Sequence, residues 1–160
     1  MVQGTVRRWL YRRQRAGGLA RLLNAWQARL AAVGAGPRWL VMVEVVGRRT
    51  GRRISFPAVV ADYEGGRYLV SMLGEDTSWV RNVRAAGGCA VLRHGGREPV
   101  VLREVAVERR APVLHCYLQR ASGARAHFPV DYRAPVEAFE PIAARYPVFR
   151  IVAADGGAGQ

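Results

Sequence analysis

Apolar and polar positions follow two different rhythms along this chain, and the change falls near residue 37. Leu19, Leu22, Leu23, Trp26, Leu30 and Val33 recur at helical spacing, with Arg21, Asn24, Gln27 and Arg29 elsewhere around the wheel. The spacing predicts an amphipathic helix over 19–33, ended by Gly34, Gly36 and Pro37. From Trp39 the texture turns valine-rich and predicts a buried strand over 39–46, a turn at 47–51 and a strand over 54–62. A hairpin turn at 63–66 leads into a third strand, 67–72, and a short helix follows between Gly74 and Gly87. Asp76, Thr77 and Ser78 are residues of the capping type at its start. A second hairpin is predicted from 89–93 and 99–107 about His94-Gly95-Gly96, then helices over 109–120 and 135–145, and a last strand over 148–152.

Strands dominate the middle and helices flank them, which argues α+β with an antiparallel sheet or small barrel. The expected organisation is a basic helical segment over 1–36, a barrel domain over 37–153 and a frayed tail over 154–160. At 160 residues, half of them apolar, the chain can bury a core, and its composition is that of a globular protein. No apolar run approaches the roughly 18 residues of a membrane span, and the basic N-terminus leads into no apolar stretch of the secretory kind. The expectation is a cytoplasmic protein in which Cys89 and Cys116 are two buried, reduced thiols.

Charge alters this picture. The net charge of +13 comes wholly from arginine, because the chain has no lysine. Residues 1–53 hold twelve arginines against one acid, Glu44, while residues 54–160 hold thirteen against eleven. The excess therefore sits in the N-terminal segment and one loop, both expected to face something anionic: a phosphate-bearing ligand, an acidic membrane surface or nucleic acid. Within the N-terminal segment, Trp9 and Leu10 stand among Arg7, Arg8, Arg12, Arg13 and Arg15. Residues 1–33 thus fit either a helix packed on the domain's own core or one resting on an anionic bilayer.

The loop is Gly47-Arg48-Arg49-Thr50-Gly51-Arg52-Arg53. Its glycines let the backbone turn tightly and expose N–H groups to a ligand, and four guanidinium forks suit phosphate or carboxylate. A basic hairpin tip can also be a plain solvated turn, and the spacing is not that of a Walker loop. The second feature is Ser78-Trp79-Val80-Arg81-Asn82-Val83, at a helix start whose free N–H groups welcome an anion. Trp79 can wall a flat ring and Asn82 can read one, although a Trp in a first helical turn is commonly core. His94, His115 and His127 lack metal-ligand spacing, and no hydrolase pattern is visible. An anion-binding loop with aromatic walls and no acid–base set points to a bound cofactor that carries the chemistry.

In running order, the Gly47-Arg48-Arg49-Thr50-Gly51 turn, Pro57 in the next strand, Trp79-Val80-Arg81-Asn82-Val83-Arg84-Ala85 and a valine-rich hairpin from Ala90 resemble the deazaflavin-dependent nitroreductase-like proteins. Their shared signature is a G-R-x-[ST]-G turn followed by a W-x-x-N-[LV] helix start, and the match covers roughly residues 40–107. The resemblance implies an FMN-binding-like split β-barrel and coenzyme F420, whose phosphate and polyglutamate tail Arg48, Arg49, Thr50, Gly51, Arg52 and Arg53 would hold. Ser78, Trp79, Val80, Arg81 and Asn82 would line the deazaflavin and its linker, and Pro57 would sit under the ring. It also implies hydride transfer from the reduced cofactor to a small electron-poor acceptor, such as a quinone, nitro compound or activated alkene.

The chain departs from the pattern in two places. Leu73-Gly74-Glu75-Asp76 replaces the usual Ser-Lys-Gly-Gly-like stretch, and the C-terminal region that carries a tyrosine cluster in relatives active on nitro compounds reads His127-Phe128-Pro129-Val130-Asp131-Tyr132. Phe128 and Tyr132 are the candidate substrate-pocket residues there, and no metal is expected. The rival readings are an FMN-using oxidoreductase of the same barrel class and a basic nucleic-acid-binding barrel. The nucleic-acid reading is the weaker because it needs exposed aromatics on the barrel face, where Phe56, Tyr63 and Tyr68 are few. Barrels of this kind often pair, so a homodimer is compatible.

Overall fold

The computed structural model describes residues 37–155. The basic stretch, the helix expected over 19–33 and the last five residues lie outside the described residues. Seven strands form a single antiparallel sheet: β1 (Leu40–Val46), β2 (Arg53–Val59), β3 (Ala61–Tyr63), β4 (Gly66–Val70), β5 (Cys89–Arg93), β6 (Arg97–Glu104) and β7 (Val148–Ala153). Their order across the sheet is β2-β1-β5-β6-β7-β4-β3. The first and last strands in that order, β2 and β3, are consecutive in the chain and separated by Val60 alone. One residue cannot span an open seven-stranded sheet, whose edges would stand about 29 Å apart at 4.8 Å per strand. The sheet therefore curls until its edges meet, and Val60 is the seam.

The single strand expected over 54–62 is corrected by this crossing. Its apolar run continues unbroken through Val59, Val60 and Ala61, but the first part pairs with β1 and the last with β4. Val60 is buried, and its N–H donates to the Trp39 carbonyl at 2.7 Å.

The barrel interior follows from strand alternation. Val41, Val43 and Val45 of β1 point inward with Leu69, Ala90, Leu92, Val100, Leu102, Phe149 and Ile151. The helix α1 (Ser78–Ala85) caps one end and adds Val80 and Val83 to this core. A second apolar layer is built on α2 (Ala111–Arg120), whose Val113, Leu114, Tyr117 and Leu118 are buried, together with Phe139 and Ile142. Fully burying one such side chain stabilises by about 1.5–3 kcal/mol, so the alternation has energetic force.

Several boundaries differ from expectation for local reasons. The strand expected over 67–72 ends at Val70, where the Ser71 hydroxyl turns to donate to the Gly74 carbonyl at 2.7 Å. The hairpin strand expected over 99–107 runs instead from Arg97 to Glu104. The helix expected over 109–120 is a 3₁₀ turn, Val107–Arg109, followed by α2. Val136–Arg145 is 3₁₀ rather than α-helical and contains Pro141, which has no N–H to offer an α-helical ladder. A further 3₁₀ segment, Ser122–His127, has no apolar periodicity to announce it.

The cysteines are corrected too. Cys89 is exposed, because it alternates with inward-facing Ala90, and Cys116 is half-buried, with burial pushing its thiol pKa up. Among the described residues no helix is long and apolar enough to cross a membrane.

Candidate functional site

The two stretches singled out in the sequence, 34 residues apart, meet at one end of the barrel. The loop between β1 and β2 closes on itself: Gly47 N–H donates to the Arg52 carbonyl at 2.8 Å and Gly51 N–H to the Gly47 carbonyl at 2.9 Å. Thr50 Oγ1 accepts from the Arg52 N–H at 3.3 Å, so this hydroxyl shapes the loop. Gly51 has a φ of +67°, a region that side chains other than glycine rarely adopt. Gly47 is crowded, since a Cβ there would meet Ile54 Cδ1 at 3.0 Å and Thr50 Oγ1 at 3.2 Å.

Asn82 joins the loop to α1. Its Oδ1 accepts from the Arg48 backbone N–H at 3.1 Å and from Arg48 Nη1 at 2.9 Å. Asn82 is 3% exposed, so its amide is a buried tie between the loop and the helix and not a free reader of a ring. The tie lies four residues into α1, about 6 Å from the helix start. At that start the cap residue, Thr77, makes no side-chain capping bond, its hydroxyl lying 3.1 Å from the Ser71 hydroxyl instead. The N–H groups of exposed Ser78 and half-buried Trp79 are thus left to solvent or a ligand.

The charges around this junction divide into committed and available. Arg81 pairs with Asp76 at 2.7 Å, and Arg84 with Glu75 at 2.7 Å and Glu104 at 2.6 Å. Arg49, Arg52 and Arg53 are exposed and have no carboxylate within 4 Å among the described residues. Three such guanidinium forks, on a loop tied to α1 through Asn82, suit a phosphate or a run of carboxylates, and their mutual repulsion falls when one is held.

The remaining expected site residues are placed as follows. Trp79 is half-buried and wedged between Phe56 and Phe149, with ring centroids 5.2 and 5.5 Å away, so one of its faces is core. Val80 is fully buried within the barrel, so it cannot line a ligand from there. Ser78 is exposed at the helix start. Pro57 pairs with Met42 and alternates with Phe56 and Ala58, which pack on the core, so it faces outward. Phe128 is buried and stacked on Tyr146 at 4.0 Å in the helical layer, and that ring is committed to packing. Tyr132 lies beneath the Arg125 guanidinium at 3.6 Å and near that of Arg133 at 5.0 Å. His94 Nδ1 lies 3.1 Å from the Leu40 carbonyl, and among the described residues no cluster of His, Cys, Asp and Glu could hold a metal ion.

One carboxylate escaped notice in the sequence. Glu104 receives Arg84 from α1 and Arg110 from the start of α2, and Arg110 is 5% exposed. Its only sequence signal is an acid at the end of a strand, which is too common to read.

No family model matches this chain, and no curated protein matches it. Solved structures do. A protein of unknown function from Agrobacterium tumefaciens str. C58 superposes with a TM-score of 0.53 at 8% identity, over 72% of this chain and 48% of that one. A putative 5-nitroimidazole antibiotic resistance protein from Bacteroides thetaiotaomicron VPI-5482 gives 0.51 at 10% identity, over 79% and 78%. An F420-H2 dependent reductase gives 0.48 at 18% identity, over 71% and 94%. With its seven antiparallel strands curled on a one-residue seam and flanked by helices, this chain is a split β-barrel.

Proposed function

We propose that this protein is an oxidoreductase that uses reduced coenzyme F420 to reduce a small electron-poor acceptor, such as a quinone, a nitro compound or an activated alkene. The observation that carries the reading is the junction of the Gly47–Arg53 loop with α1 through Asn82. Arg49, Arg52 and Arg53 belong to that loop and its exit, and the start of α1 has no side-chain cap. The donor set fits the group: a phosphate and a run of carboxylates need several guanidinium forks, and three are free of carboxylate partners among the described residues. When bound, the deazaflavin supplies the hydride.

The chain's own contribution is placement. Arg49, Arg52 and Arg53 anchor the anionic arm, and the first-turn N–H groups of α1 receive an anion or carbonyl. The exposed part of Trp79 offers a flat wall held rigid by Phe56 and Phe149. Fixing two reactants at a near-attack distance is worth up to about 7–11 kcal/mol of barrier without any side-chain acid or base. FMN is the second cofactor reading, and three unpaired arginines disfavour it because a single phosphate needs fewer. Cytoplasmic residence and pairing into a homodimer belong to the same proposal.

The test is a fluorescence titration with oxidised F420 and with FMN, on the protein and on its Arg49→Ala/Arg52→Ala variant. F420 binding weakened about tenfold or more by the variant is the expected result. Preference for FMN moves the reading to flavin chemistry, and binding of neither cofactor overturns it.

A further inference from the structure

Away from the loop, the charge of the barrel gathers on the outward face of its sheet. Ala90, Leu92, Val100 and Leu102 point into the core, so Val91, Arg93, Arg97, Pro99, Val101 and Arg103 point out. The register sets Arg93 directly opposite Arg97, and Arg103 directly opposite Arg150 of β7. Like charges directly opposite on neighbouring strands destabilise a sheet. All four arginines are exposed. Arg93 and Arg97 share one carboxylate, Glu44, at 4.0 and 3.6 Å. Arg103 and Arg150 have no carboxylate within 4 Å among the described residues, which include all twelve acidic side chains of the chain.

The two arginine pairs stand six residues apart along β6, about 20 Å. Between them the face is aliphatic: Pro99 is exposed, and Val91 and Val101 are half-exposed. We propose that this outward face of β5, β6 and β7 docks on an anionic lipid surface, with the guanidinium pairs on headgroup phosphates and the aliphatic strip between them against the interface. Arginine forks match phosphate geometry, and aliphatic side chains set among them gain from leaving water at a bilayer boundary. Single-stranded nucleic acid is the poorer fit, because the outward positions of β5, β6 and β7 carry no aromatic residue for a base to stack on. A second copy of the same face is disfavoured by its excess of arginine. The surface is independent of the reductase reading, and it is distinct from residues 1–33.

Vesicle sedimentation of the full chain tests this. The vesicles are equal parts phosphatidylglycerol and phosphatidylcholine, beside pure phosphatidylcholine, at moderate salt. The variant is Arg103→Glu/Arg150→Glu, and the control is Arg133→Glu/Arg145→Glu, which carries the same net charge change in the helical layer. Each arginine near an anionic leaflet adds about fivefold to partitioning, so the face variant should bind about 25-fold more weakly or worse while the control stays near the parent. Arg103→Gln/Arg150→Gln should fall between parent and reversal. Equal binding by parent and face variant overturns the proposal, as it would if residues 1–33 carried all of the binding. Equal binding to phosphatidylcholine overturns it, as does loss of binding that is the same in the control. Binding of a DNA duplex or single strand that depends on Arg103 and Arg150, without vesicle binding, replaces lipid by nucleic acid.

Discussion

Asn82 carries two hydrogen bonds on one oxygen, both from Arg48, in a position that water hardly reaches. Asn82→Ala leaves the Arg48 backbone N–H without its acceptor and opens a small void beside the loop. We expect a loss of about 1–3 kcal/mol in urea unfolding, with Asn82→Asp, which keeps the acceptor, losing less. Alanine and aspartate variants of equal stability would show that the oxygen is not what holds the loop. Under the proposed function, the alanine variant also binds F420 more weakly although it removes no charge. A second contrast concerns backbone. Gly88 has a φ of +87°, and a Cβ there would lie 2.5 Å from the Leu102 carbonyl oxygen. Gly95 has a φ of +70°, with nothing within 4 Å of its Cβ position. Gly88→Ala should therefore cost about 3 kcal/mol or more, and Gly95→Ala only the left-handed penalty of about 1 kcal/mol. Thermal unfolding midpoints of the two variants decide it, and similar shifts would mean that the carbonyl contact at Gly88 relaxes freely.

At the level of elements, the seam at Val60 is held from outside by the end of α2. Arg120 Nη1 donates to the Val60 carbonyl at 2.9 Å and pairs with Asp62 at 2.7 Å. That carbonyl sits where the chain leaves one sheet edge for the other, so no strand partner is positioned to satisfy it. Arg120→Ala should destabilise by about 1–2 kcal/mol and raise amide exchange first in β2 and β3; uniform exchange across the sheet would contradict a seam role. The same place marks the limit of what the sequence makes legible. Short apolar runs bounded by turn residues marked β1, β5 and β7 to within a residue or two at each end. They could not divide residues 54–62, since the change of pairing partner falls inside the apolar run Ala58-Val59-Val60-Ala61. Helix type failed at Val136–Arg145, where apolar spacing suits an α-helix but the backbone is 3₁₀ around Pro141. For the site, the loop and the helix start were both visible as local chemistry. Their meeting was not, because the Arg48–Asn82 bond is a tertiary fact that neither segment carries alone. The commitment of Phe128 to a stack on Tyr146 was hidden for the same reason.

Across the whole molecule, one ionic chain links the barrel cap to the helical layer. Glu75 binds Arg84 of α1, Arg84 binds Glu104 at the end of β6, and Glu104 binds Arg110. Arg110 in turn donates to the carbonyls of Val105 and Ala143, at 2.8 and 3.2 Å. The candidate site helix is thus tied to the C-terminal layer through one carboxylate. The hydrogen bond from Arg84 holds the Glu104 carboxyl below the usual carboxylate range. A carboxyl whose folded pKa is depressed contributes stability above its unfolded value, near 4.3, and that contribution is lost as pH falls through the folded value. Glu104→Gln should therefore unfold more easily at pH 7 by about 1–2 kcal/mol, a modest figure because Glu104 stays partly exposed to solvent. As the pH is lowered below about 4, the parent should lose this advantage and the two urea midpoints should converge. Parallel midpoints from pH 7 down to pH 3 would show that Glu104 acts through packing alone. Midpoints that converge on the acid side would make this carboxylate the electrostatic pin between the cap of the barrel and the layer that covers it.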